Sequence, residues 1–250
     1  MNCKTTLTLA FIAISAGAFA QFNLKNVQNS ATQDLNNLKG NKGSSAPLSN
    51  DDIVKGLKDA LSVGSNNAGS SASKMDGFYK DSLIKIPFPP DADKVRQTAV
   101  TLGMQSQVDA FVLSLNRAAE KAAVKAAPIF LNAITSMGID DGLKILQGAN
   151  NAATLYLQSK TSQQLHDVFL PIVKSATDSV QVTKYWKPLV DTYNKDPFAT
   201  KVNPDLNEYV TQKALSGLFI LLAAEELKIR QNPMARVDDI LKKVFGSLDK

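Results

Sequence analysis

A single cysteine, Cys3, excludes an intramolecular disulfide and any cage of thiolates around zinc or an iron–sulfur cluster. A single histidine, His166, excludes a multi-imidazole metal site and leaves no second histidine for a relay. No block of five or six like charges occurs: 28 Lys and Arg are scattered among 23 Asp and Glu. The formal charge of +5 therefore describes a mixed, solvated surface and implies no nucleic-acid partner. Gly-rich phosphate loops, the Gly-x-Ser-x-Gly elbow and the His-Glu-x-x-His pattern are missing from the sequence. The pairs Asp51-Asp52, Asp140-Asp141 and Asp238-Asp239 lack the spacing of a calcium loop. They fall at expected helix starts, where acids suit the positive end of the dipole. No metal and no cofactor is expected.

What is present points to one domain. The chain has 250 residues, of which 44% are hydrophobic and 20% charged, the balance of a globular protein. Residues 1–20 read as a cleavable signal peptide: Lys4, an apolar run over 7–16, then the small-x-small site Ala18-Phe19-Ala20. That run falls short of the roughly twenty residues a bilayer span requires. Its removal would take away Cys3 and one positive charge, consistent with an oxidising compartment. The expectation is export to the periplasm or beyond, as a soluble mature chain without a transmembrane helix. Residues 21–47, rich in Asn, Gln, Ser and Gly, read as a flexible linker. The domain is expected over 48–250.

Within it the apolar period is helical. Ser49 followed three residues on by Asp52 predicts a capped start, and Ile53, Leu57 and Leu61 recur at i+4 until Gly64 to Gly69, where the helix should fade. Residues 76–91 hold Gly77, Pro87, Pro89 and Pro90, so they form a connector, pinned by its apolar residues and open to one short extended pair. Helices are expected over 91–102 and from Gln105, with Pro128 either kinking the latter or starting a new one. Further helices are expected over 140–146, from Ala152, from a Thr161 or Ser162 cap to Val180 with a break at Pro171, and over 182–193. A helix near 205–230 is apolar on nearly every bearing over 214–224 and should be enclosed all round; 233–245 is a final amphipathic helix. The fold class is all-α: a single-domain bundle of about eight to ten helices.

Several stretches resemble one family: 49–62 (SNDDIVKGLKDALS), Asp76-Gly77-Phe78, 84–87 (IKIP), 115–122 (LNRAAEKA), Pro128-Ile129-Phe130, Ala152-Ala153-Thr154, 169–173 (FLPIV), 209–214 (YVTQKA), Gly217-Leu218-Phe219 and 225–233 (EELKIRQNP). Over about 48–245 the chain resembles the bacterial exported family called domain of unknown function 4197. The resemblance implies an exported, mostly helical single domain. It implies no reaction and no catalytic residue.

Four groups of residues offer chemistry. Glu225 and Glu226 follow apolar positions on the last long helix, so one should be partly buried; a desolvated carboxylate can serve as general acid or base with Arg117 or Lys121. The simpler account is an ion pair of Glu226 with Arg230 at i+4. Asn116, Arg117 and Glu120 lie off the main apolar stripe, either as the rim of a ligand pocket or, preferably, as an interhelical network. Phe78, Tyr79 and Phe88 either close an apolar cavity or plug the core. His166, with no Cys or second His to complete a triad or metal cluster, reads as a surface or half-buried packing residue. The expected function is a non-enzymatic envelope protein binding an amphiphilic ligand or a protein partner. The alternatives are a hydrolase or lyase built on Glu225 or Glu226 with Arg117 or Lys121 as basic partner, Glu120 being a further catalytic candidate, and a structural module acting through 21–47.

Overall fold

Ser49 opens the first described helix as its sequence requires. Its hydroxyl accepts the Asp52 N–H at 3.1 Å while the Asp52 carboxylate faces the Ser49 N–H, a reciprocal capping box. A computed structural model describes residues 49–178, 180–194, 205–232 and Lys242. The expected leader 1–20 and linker 21–47, and the closing helix 233–245 apart from Lys242, lie outside the described residues. The described elements are α1 (Asn50–Ser73), a 3-10 turn (Pro90–Ala92), α2 (Asp93–Thr101), α3 (Gln105–Ala123), α4 (Ala126–Thr135), α5 (Ile139–Gln147), α6 (Ala152–Asp178), α7 (Val180–Tyr193) and α8 (Asn207–Gln231). Among the described residues there is no strand, and the fold is all-α.

α1 runs past the glycines at which it was expected to fade. An ideal Cβ at Gly64 would touch Glu225 Cβ at 3.5 Å, and one at Gly69 would touch Ala127 Cβ at 3.5 Å. The small residues Gly64, Ala68, Gly69 and Ala72 are all buried, so they mark where α8 and α4 lie close, not where the helix stops. Each glycine costs about 1 kcal/mol of helix propensity, which the close packing offsets. α6 likewise is one helix where two were expected. Thr161 and Ser162 donate their hydroxyls back to the Leu157 and Gln158 carbonyls at 2.6 Å and cap nothing. Pro171 sits inside the same helix on its exposed side. At Pro128 the second alternative holds: α3 ends at Ala123, and α4 begins two residues before the proline.

The core gathers around α8, which packs against α6, α1 and α3, while α1 also carries α4 and α5 on its far flank. At the α7 end Phe111 stacks on Trp186 with centroids 4.7 Å apart, and Phe88 meets both rings edge-on. The expected enclosure of 214–224 on every side is not found. Ala214, Leu215, Gly217, Leu218, Phe219 and Leu222 are buried, but Ser216 and Ala224 are exposed, as is Ile220 at 44%. α8 therefore carries one wetted stripe, with Leu227 (38% exposed) continuing it, and the remaining bearings suffice to hold the bundle. Among the described residues no single helix is long and apolar enough to cross a membrane.

Candidate functional site

The polar residues of α3 clamp the connector. Asn116 accepts the Ile86 N–H at 2.8 Å and donates to the Ile86 carbonyl at 2.9 Å and to Val112 at 2.8 Å. One buried amide thus completes the backbone bonding of a proline-bounded segment that forms no ladder of its own. Glu120 accepts the Phe78 and Tyr79 N–H groups at 3.1 and 3.3 Å, and Arg117 bridges Glu120 and Asp76 at 2.7 and 2.6 Å. Lys80 and Arg117 hold the Asp76 carboxyl below its usual range, and Asp76 takes the left-handed φ of 65° at this corner. Gly77 follows because a Cβ there would stand 2.3 Å from the Ser71 carbonyl. Phe78 and Phe88 are buried in the core, Phe78 filling a notch in α8 at Gly217. Tyr79 is half-buried, with the Lys85 ammonium 4.4 Å from its ring centre. Asn116, Arg117 and Glu120 thus tie α3 to the connector and not to a second helix, while Phe78 and Phe88 fill the core and Tyr79 stays at its edge.

Glu225 and Glu226 part company. Glu226 is buried and accepts the Ala153 N–H at 3.0 Å, the Thr154 N–H and hydroxyl at 2.8 Å each, and Arg230 at 3.0 Å. Ala153 and Thr154 stand in the first turn of α6, so a carboxylate of α8 caps α6 from across the interface. Arg230 reaches on to the Ile145 and Leu146 carbonyls at the end of α5, at 2.7 and 3.3 Å. Acid meets a helix start and guanidinium a helix end, each matching the local dipole. Glu225 instead accepts from Asn67 of α1 at 2.9 Å and lies 3.7 Å from Lys228. Arg117 is engaged with Glu120 and Asp76, and Lys121 is exposed. The convergence of these acids with Arg117 or Lys121, which a hydrolase or lyase would need, is not formed.

The site that sequence reasoning missed lies between α6 and α8. These helices run antiparallel, since Thr154 at the start of α6 meets Glu226 near the end of α8, and His166 midway along α6 meets Glu208 at the start of α8. Along their seam opens a depression of about 290 Å³, walled by Gln158, Ser162 and His166 of α6 and by Gln212, Ser216 and Phe219 of α8. His166 Nε2 stands 3.0 Å from Glu208, which raises the imidazole pKa above its ordinary value; Gln212 and His166 together lower that of Glu208. His166 is half-buried, and at the polar end of the groove it also meets the Glu208 carboxylate. Ser162 and Ser216 spend their protons on the Gln158 and Gln212 carbonyls, leaving oxygen lone pairs free toward the groove. Toward the other end the same helical stripes turn apolar: Leu155 (54% exposed) on α6, Ile220 and Leu227 on α8. The i+4 spacing of Gln158, Ser162, His166 and of Glu208, Gln212, Ser216 was visible in sequence; that the two stripes face each other was not.

Among the described residues no group of three or more His, Cys, Asp or Glu is placed to hold a metal. Fold and groove define an all-helical protein whose buried polar groups brace its helices and whose open polar surface follows the α6–α8 seam. The chain belongs to the family described as protein of unknown function (DUF4197), whose model matches residues 47–246. No curated protein and no solved structure matches it.

Proposed function

We propose that this is a non-enzymatic envelope protein that binds an amphiphilic ligand along the α6–α8 seam, after export directed by residues 1–20. The observation that carries the reading is the grading of one helix seam. Amides, hydroxyls and His166 beside Glu208 mark the depression, and beyond its lining exposed Leu155, Ile220 and Leu227 continue the same helical stripes. A polar head is met by donors and acceptors there, while a tail covers apolar side chains that otherwise face water. The lining includes no lysine, arginine or carboxylate, so a neutral head suits the groove best. The buried carboxylates and the Asn116 amide are occupied in bracing the fold, which supports binding over catalysis.

The test is a calorimetric titration of the purified chain with dodecyl maltoside below its micelle concentration. Saturable one-to-one binding is expected, weakened about tenfold by Ile220→Glu, which places a charge under the tail. Absence of saturable binding, or an unchanged affinity in that variant, would overturn the reading.

A further inference from the structure

On the opposite flank of α6 lies a second depression, of about 350 Å³, between α4, α5 and α6. Asn132, Ile129 and Ala133 of α4, Asp141 of α5, and Tyr156 and Lys160 of α6 line it. Its volume is near the lower end of small-molecule sites, about 300–1,000 Å³. It differs from the α6–α8 groove in holding one full charge of each sign. Lys160 and Asp141 are not paired with each other, and among the described residues neither forms an ion pair elsewhere. Burial, with the charge of the nearby Asp141 carboxylate, raises the Tyr156 pKa and keeps its hydroxyl protonated. The Lys160 ammonium lies 5.7 Å from the centre of the Tyr156 ring, so the tyrosine stands beside both charges. Ile129 is buried and Ala133 half-buried, giving the cavity an apolar wall.

Two unpaired opposite charges across one cavity, with an amide beside them and an aliphatic wall, are complementary to a small dipolar ion. We propose that this cavity binds a free aliphatic α-amino acid. The ligand carboxylate meets the Lys160 ammonium and the Asn132 amide, its ammonium meets the Asp141 carboxylate, and its side chain lies on Ile129 and Ala133. Recognition by both charges at once separates a free amino acid from peptides, carboxylic acids and amines, each of which leaves one protein charge unmatched. This site does not depend on the α6–α8 groove, because residues 156 and 160 face α4 and α5 whereas 158, 162 and 166 face α8.

The experiment is a titration of the full chain, followed by amide chemical shifts and by calorimetry, with L-leucine, N-acetyl-L-leucine and L-leucinamide. L-leucine should bind saturably, and each capped probe about tenfold more weakly. Lys160→Met should abolish the advantage of L-leucine over L-leucinamide, and Asp141→Asn its advantage over N-acetyl-L-leucine. Circular dichroism melts establish that both variants remain folded. No saturable binding of L-leucine up to about 10 mM, equal binding of the three probes, or discrimination unchanged in folded variants would each overturn the proposal. None of these results bears on dodecyl maltoside binding, which Ile220→Glu alone should weaken.

Discussion

Glu226→Gln changes one atom and tests whether a side chain of α8 caps α6. The carboxylate accepts four hydrogen bonds: from the Ala153 N–H, the Thr154 N–H, the Thr154 hydroxyl and Arg230. A carboxamide has one accepting oxygen and a donating nitrogen. Whichever way it turns, the nitrogen faces a backbone N–H of the first turn of α6. The Thr154 hydroxyl can rotate to accept, but the N–H groups cannot. One buried N–H left unpaired costs about 1–3 kcal/mol. The lost charge toward Arg230, which is only 8% exposed, adds a further cost of similar size. A total near 3 kcal/mol is expected, at the lower edge of the ~3–5 kcal/mol for removing one partner of a buried pair. For a domain of this length that lowers Tm by about 6–12 °C. Urea unfolding followed by far-UV circular dichroism, with buried Trp186 as the tertiary reporter, measures it. A double-mutant cycle with Arg230→Met should give a coupling above about 1 kcal/mol. A loss below about 1 kcal/mol, with no coupling, would refute the capping argument.

Asn116→Ala should cost about 2–3 kcal/mol, because both backbone groups of Ile86 then lose their partner in a buried setting; protease cleavage within 74–89 should accelerate in parallel. Gly217→Ala brings a Cβ to 2.7 Å from Phe78 and 3.1 Å from Ile84, so a loss of about 1–3 kcal/mol is expected in the same urea assay. The His166 pKa is raised in the folded chain by Glu208, so its stabilisation is full below the unfolded value near 6.5 and is lost as pH rises through the folded value. Glu208 is lowered, so its share is present above its ordinary range near 4.5 and lost as pH falls through the folded value. An imidazole proton titration by NMR should show the His166 pKa falling in Glu208→Gln; an unmoved pKa would contradict the pair.

The local code is readable along the chain, and its limits have a physical cause. Ser49 with Asp52, the i+4 recurrence of Ile53, Leu57 and Leu61, and the prolines of 87–90 determine a capped helix and a non-helical connector through backbone and side-chain chemistry within a few residues. The all-α class follows from the same short-range pattern. Where tertiary contacts compete with local preference, the chain alone does not decide. Gly64 and Gly69 look like a helix end in isolation; close approach of α8 and α4 makes them helix interior. Thr161 and Ser162 look like caps until their hydroxyls are seen bonded within a continuous helix. The run 214–224 is apolar on most bearings, yet only the arrangement of α6, α1 and α3 determines that Ile220 stays wet. Glu225 and Glu226 are adjacent and chemically identical, and helical rotation of about 100° between neighbours sends one to Asn67 and the other to the start of α6. A polar stripe can be read from spacing, but which stripe faces it depends on the antiparallel packing of two helices whose meeting residues lie 42 to 72 apart in sequence, a distance at which periodicity carries no information.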